Sequence, residues 1–246
     1  MTYIQSNIGG RIENQDFYGS AKTKFGELIV VCDGMGGHNG GRYAAEKAVQ
    51  IIIEEVTKSN ETNPAKALQG AMLKANNTIW QESNINISLK GMGTTVVALL
   101  ITPEKAICSH VGDSRVYQLR KGKVLHRTSD HSLVFDLVRI GKISEEQARL
   151  SDKSNIITRS LGKRSLVDIE ITANLCYHAG DRFLLCTDGL WSMMTECKLI
   201  EMISEEDDVE SVVTNLVDRI NTIGIGHGGN HDNLTAALLE METSSK

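Results

Sequence analysis

The stretch TTVVALLITPEKAICSHVGDSRVYQLRKGKVLH, Thr94 to His126, decides the fold class. It contains four short β-prone runs, Thr94–Ile101, Ala106–Val111, Val116–Leu119 and Val124–His126, separated by Pro103, Gly112 and Lys121-Gly122. Gaps this short suit hairpins and leave no room for the crossover helix that a parallel pair needs. Upstream, Phe17–Ser20 and Leu28–Cys32 are further β runs, followed by two long helical patterns. Ala44, Ala45, Ala48, Ile51, Ile52 and Val56 form one apolar face at helical spacing, and Leu68, Ala71, Met72, Ala75 and Ile79 form another. Asn63-Pro64 opens the second helix as a cap followed by proline at the first helical position.

Downstream of His126 the pattern changes. Residues 132–155 are polar and helix-prone, with no strong strand. Asp168–Ala173 and Arg182–Cys186 restore the β pattern, and Val209, Val212, Val213, Leu216, Val217 and Ile220 mark a late helix before a closing strand at Leu234–Leu239. Strands grouped in blocks around helices predict an α+β layered architecture; a doubly wound parallel sheet would need a helix after nearly every strand. No internal repeat or Pro/Ser/Gly-rich linker divides the 246 residues, so one domain over 1–241 with a short tail at 242–246 is expected.

Composition narrows the function classes. Hydrophobic residues make up 41% and charged residues 23%, enough apolar material for a sizeable core. The net charge of −5, with Lys and Arg scattered, predicts no nucleic-acid partner and no polybasic membrane patch. The longest apolar runs, such as Val96–Ile101, fall far short of the roughly 20 residues of a spanning helix. The start, Met1-Thr2-Tyr3-Ile4-Gln5, lacks a signal-peptide design, so a cytoplasmic location is expected. Cys32, Cys108, Cys176, Cys186 and Cys197 form no CxxC pair and read as reduced thiols without zinc-site spacing.

The chemically informative feature is where the aspartates fall. Leu28–Cys32 runs into Asp33-Gly34, Phe183–Thr187 into Asp188-Gly189, and Ile107–Gly112 into Asp113. A single Asp-Gly is most often only a turn. Three carboxylates at the ends of apolar strands are harder to explain that way, because desolvating each is unfavourable unless a cation compensates. Asp16 and Asp232 add two more in polar or glycine-rich loops. An all-oxygen set of this kind suits a hard cation such as Mg2+ or Mn2+, and several carboxylates at one place imply more than one ion. Residue spacing alone reaches a binuclear hard-metal site and goes no further.

In chain order, Arg11-Ile-Glu-Asn-Gln-Asp16, Val31-Cys-Asp-Gly-Met-Gly-Gly-His38, Gly91-Met-Gly-Thr-Thr95, Val111-Gly-Asp-Ser-Arg-Val-Tyr117, Asp130-His-Ser132, Asn155-Ile-Ile-Thr-Arg-Ser-Leu-Gly162, Cys186-Thr-Asp-Gly-Leu-Trp191 and His231-Asp-Asn-Leu-Thr235 resemble the motif series of the metal-dependent protein phosphatase family, type 2C or PPM. The match covers residues 8 to about 240, and the Asp33 to His38 form resembles the bacterial branch that opposes serine/threonine kinases.

The resemblance implies an antiparallel β-sandwich flanked by helices on both sides, with a metal cleft at one end. The implied activity is hydrolysis of phosphoserine and phosphothreonine in phosphorylated proteins, by a monomer, with two Mn2+ or Mg2+ ions and room for a third. By the same resemblance Asp33 bridges two ions, the carbonyl of Gly34 adds a ligand, and Asp188 and Asp232 hold the pair. Asp16 is expected to act through water, and Asp113 to hold a third, weaker ion shared with Asp188. Arg11 is expected to clamp the substrate phosphate, a task that suits a planar guanidinium fork. His38 is expected to protonate the leaving oxygen. Leu133 to Ser154 corresponds to the family's flap.

His110, His131 and His231 read as structural hydrogen-bonders, Asn233 as a residue that steadies Asp232, and Thr94 and Thr95 as strand residues. Two positions depart from the pattern: Gln15 replaces a frequent glutamate, and Ser192 a frequent aspartate.

Overall fold

A computed structural model gives the structure and describes residues 1–36, 40–205 and 208–242. Two antiparallel sheets lie face to face. One follows the spatial order β1 (Thr2–Asn7), β11 (Leu234–Glu240), β10 (Arg182–Cys186), β7 (Arg115–Arg120) and β8 (Lys123–Arg127). The other follows β2 (Asp16–Thr23), β3 (Gly26–Met35), β5 (Val96–Ile101), β6 (Ala106–Val111) and β9 (Glu170–Leu175), with the two-residue β4 (Gly93–Thr94) beside the end of β3. Helices α1 (Gly40–Lys58) and α2 (Pro64–Ile85) cover the second sheet, and α6 (Glu196–Glu205) and α7 (Val209–Gly226) cover the first. The expected helix-flanked sandwich is therefore the observed architecture.

Strand β3 shows why its sequence is apolar throughout rather than alternating. Leu28, Val30 and Cys32 point into the layer formed with α1 and α2, while Ile29 and Val31 point at the opposite sheet. Side chains alternate between two buried faces, so both sets must be apolar. Three stacked cores result. The middle one joins Ile29, Val31, Val97 and Leu99 to Val116, Phe183, Leu185 and Ala237 across the sheets. The third packs Leu184 and Leu238 against Val213, Leu216 and Ile220 of α7.

Helix boundaries follow local chemistry. Asn63 caps α2, its side-chain oxygen accepting from the backbone N–H of Ala65 (2.9 Å) and Lys66 (3.2 Å) with Pro64 at the first turn. Asp208 caps α7 through the N–H of Ser211 at 2.8 Å. Residues 133–156 leave the sandwich as an excursion carrying α3 (Leu133–Arg139) and α4 (Glu145–Arg149). Its base is closed where Leu133 donates to the Ile156 carbonyl and Thr158 to that of His131. Arg127 grips Glu145 with two nitrogens at 2.7 Å each, and Arg149 donates to the Ser192 carbonyl, so the segment is pinned to the sheet side at two points.

Strand β1 and helix α6 had no clear sequence signal. β1 is half-buried along its whole length and pairs with β11 more than 220 residues away, a partner no local pattern reveals. The late β run read at 168–173 lies two residues further on, at Glu170–Leu175. Among the described residues, no helix is long and apolar enough to cross a membrane.

Leu99 is fully buried between the sheets. Replacing it with alanine should lower unfolding free energy by about 2–5 kcal/mol through lost burial and a residual cavity. A urea titration that finds less than about 1 kcal/mol would show that this middle layer is not tightly packed.

Candidate metal centre

At one end of the sandwich, β3 and β10 stop beside each other's loops and open a cavity of about 430 Å³. Arg11, Asp33, Gly34, Asp188 and Asp232 all line it, together with Glu13, Gln15 and Asn155. Asp16 and Asp113 lie behind that wall, only 5% and 1% exposed. Five carboxylates from five places in the chain thus converge; His38 lies outside the described residues.

The scaffold explains the convergence. Asp16 opens β2 directly opposite Asp33 in the β2–β3 register. Asp33 is fixed through its backbone: its N–H donates to the Thr95 hydroxyl at 3.0 Å, and its carbonyl accepts from the Thr95 N–H at 2.8 Å and the Thr94 hydroxyl at 2.9 Å. Gly34 packs so closely that a Cβ there would stand 2.1 Å from the Gly41 carbonyl oxygen, so no other residue fits. Gly112, before Asp113, holds φ +110° with Thr95 filling the space a side chain would need. Asp188 begins the short α5 (Asp188–Trp191) immediately after β10.

Burial and mutual repulsion dominate the electrostatics. Desolvation, opposed by hydrogen bonds from Thr235 and Thr187 and reinforced by Asp188 and Asp232, raises Asp16 to about 7. Desolvation and then Asp232 raise Asp188 to about 6, against a hydrogen bond shared with Asp33. Asp33 is raised well above the ordinary range by burial and by Asp16, Asp188, Asp113 and Asp232. Asp113 is raised likewise by burial, Asp188 and Asp130. Three of these carboxylates each carry a buried oxygen without any hydrogen-bond partner: Asp16 Oδ1, Asp113 Oδ1 and Asp188 Oδ1. Buried polar atoms are normally satisfied, so orphaned acceptors among like charges fit a cation as the missing partner.

No three of these aspartates bring oxygens all within 4.8 Å of one another, so they form no ready single-ion cage.

Several supporting residues had no role assigned in the sequence. Thr187 and Thr235 donate to Asp16 Oδ2 at 2.9 and 2.7 Å, although both sit inside the motifs read from the sequence. Asn233 does less for Asp232 than expected. Its side chain accepts from Gln15 N–H at 2.8 Å and donates to the carbonyls of Ile8 and Glu13, so it ties down the loop that carries Arg11, while only its backbone N–H reaches Asp232. Arg11 donates to Asp232 Oδ2 at 3.0 Å with both side chains about half exposed.

Behind Asp113, Arg115 and Asp130 form a buried two-pronged ion pair at 2.8 and 2.7 Å, with the Trp191 ring 3.5 Å from the guanidinium carbon. The indole N–H donates to the Asp113 carbonyl at 2.9 Å.

His110, His131 and Glu170 form the one described trio close enough for a single cation, but the hydrogen bonds at both ring nitrogens of His131 oppose one. His131 Nδ1 accepts from the Gly112 N–H at 3.1 Å, which puts the ring proton on Nε2, where it donates to Glu170 at 3.2 Å. His110 Nε2 bonds the Ser129 carbonyl and His231 Nε2 bonds Asn221, so all three histidines take up structural hydrogen bonds.

The protein phosphatase 2C family profile matches residues 5–238. The serine/threonine phosphatase stp of Listeria monocytogenes serotype 4b is 32% identical over 244 residues, covering 96% of this chain and 94% of that protein. The crystal structure of serine/threonine phosphatase Stp1 from Staphylococcus aureus superposes with a TM-score of 0.88 at 27% identity, covering 98% of this chain and 95% of that one. The catalytic domain of serine/threonine protein phosphatase PstP in complex with two manganese ions superposes with a TM-score of 0.83 at 26% identity, covering 99% and 98%. This chain belongs to the protein phosphatase 2C family, the metal-dependent serine/threonine phosphatases.

Proposed function

We propose that this chain removes phosphate from phosphoserine and phosphothreonine in proteins with two divalent cations, Mn2+ or Mg2+, held by Asp33, the Gly34 carbonyl, Asp188 and Asp232. Asp113 would serve a third ion shared with Asp188, and Asp16 would act through water. The observation that carries this reading is the set of buried aspartate oxygens with no hydrogen-bond partner at the end of the sandwich. When bound, such ions acidify water and offset charge on the phosphoryl oxygens.

The chain's own residues supply the rest. Arg11 stands at the rim of the cavity in a half-exposed pair with Asp232, an interaction worth about 0–1 kcal/mol. A substrate phosphate can therefore draw the guanidinium away at little cost and take both prongs of its fork. His38 is the proposed proton donor to the departing side-chain oxygen. Among the described residues no cysteine lines the cavity, and burial pushes the Cys32 thiol far up, which fits direct hydrolysis rather than a covalent phosphoenzyme. The same proposal takes residues 1–241 as the catalytic domain and 133–154 as its flap, with a monomer opposing a serine/threonine kinase in the cytoplasm. The motif order and the bacterial relatives support that setting.

The raised carboxyls make metal loading pH-dependent, with a sign that can be worked out. Near pH 6 Asp16 and Asp188 are substantially protonated, and Asp33 and Asp113 lie well above the ordinary carboxylate range. Cations must displace those protons, so affinity falls as pH drops from about 7.5 to 5.5 and protons are released on binding. Calorimetry in buffers of different ionisation enthalpy measures both; an affinity flat over that range would mean the carboxyls titrate as exposed ones.

Asp33→Asn removes the central carboxylate while keeping the β3 backbone bonds. Mn2+-dependent hydrolysis of a phosphothreonine peptide should fall by more than the about 10–100-fold typical of an outer-shell change, with the circular dichroism spectrum retained. Turnover within tenfold of the parent would remove Asp33 from the centre.

A further inference from the structure

A second cavity of about 380 Å³ adjoins the aspartate-lined one and shares Met35 and Ile157 with it. Its wall comes from the segment that follows the flap, 157–168, and its charge is the reverse of its neighbour's. Among the described residues that line it, Arg159, Lys163 and Arg164 face Asp168, a local balance of three positive to one negative in a chain of net charge −5.

The three cations are not equally free. Arg159 pairs with Asp168 at 3.3 Å, and the Lys163 ammonium donates to the Gly91 carbonyl. The Arg164 guanidinium makes no hydrogen bond or ion pair among the described residues, yet its backbone is held firmly. Buried Asn76 of α2 donates to the carbonyls of Arg164 and Ser165 at 3.1 Å each and accepts from the Gly162 N–H at 2.9 Å. A rigid turn thus presents an uncommitted fork beside Leu166, a residue 83% exposed.

An extended substrate whose phosphorylated residue occupies the first cavity must run past its rim, which Arg11 and Glu13 also line. The second cavity, which shares Met35 and Ile157 with the first, offers positive charge to the same chain. We propose, building on the phosphatase reading above, that this pocket receives an anionic side chain flanking the phosphorylated residue, so that the enzyme selects segments carrying a second phosphate or an acidic residue. The guanidinium fork matches either group, and the exposed aliphatic floor takes the neighbouring side chain.

Three Mn2+-loaded assays on one peptide sequence test this: a single phosphothreonine, a second phosphothreonine on either side, and glutamate in place of that second phosphate. The anionic peptides should show kcat/KM about three- to tenfold higher, through KM and not kcat, the size expected of a few exposed ion pairs. Arg164→Ala should shrink that preference, Arg164→Glu should invert it, and added salt should erase it in the parent. A gain confined to the second phosphate identifies phosphate as the ligand; an equal gain with glutamate identifies any carboxylate or phosphate. Equal kcat/KM for all three peptides, or a preference that survives Arg164→Glu, overturns the proposal. If no peptide is hydrolysed, the phosphatase reading fails separately. Fluorescence anisotropy of the labelled doubly phosphorylated peptide then still reads the pocket: binding weakened by Arg164→Glu supports it, and unchanged binding refutes it.

Discussion

Repulsion among buried carboxylates is the constraint around which one end of this molecule is built. Asp16 and Asp113 are buried, Asp33 and Asp188 are half-buried at the cavity wall, and desolvation and mutual repulsion push each of the four toward its protonated form. A fold under no functional demand would relieve this with a lysine or by exposure. Among the described residues, Arg115 is committed to Asp130, and Arg11 pairs with Asp232 at the half-exposed rim. The arrangement makes physical sense as half of a charge pair whose other half is a set of cations.

The sandwich makes that repulsion tolerable because the aspartates are held mainly through the backbone. Asp33 sits on β3, buried on both faces by the helices and the opposite sheet, with its peptide groups clamped by Thr94 and Thr95. Asp188 and Asp232 adjoin β10 and β11, neighbours in the other sheet. Thr235 of β11 and Thr187, one residue past β10, donate to Asp16, joining the two sheets through one carboxylate. Side-chain chemistry at the cleft therefore depends on strand register, which apolar packing fixes well away from it.

Much of this was readable in the sequence, for a physical reason. The strands and helices that bury a full apolar face, β3, β5, α1, α2 and α7, announce themselves through periodicity, and the aspartates stand out because they interrupt apolar runs. Elements with weak patterns were missed: β1 is a half-polar edge strand whose partner lies at the far end of the chain, and α6 is short. The supporting shell was harder still. Asn233 steadies Asp232 through its backbone N–H, while its side chain holds the Arg11 loop, since a side-chain amide finds its partners in space and not along the chain. The pocket at Arg159, Lys163 and Arg164 was not read from the sequence, because three cations within six residues become a pocket wall only when the turn directs them to one side.

The charge contrast between two adjoining cavities gives the cleft a direction: an acidic end suited to cations and a basic flank suited to an anionic chain. Both features rest on the premise that ions occupy the acidic end. Crystals grown with Mn2+ and measured at its absorption edge test that premise most directly. The account predicts two anomalous peaks about 3.5–4 Å apart, with Asp33 between them and Asp188 and Asp232 as further ligands. Peaks confined to His110, His131 and Glu170, or none at the aspartates, would contradict it.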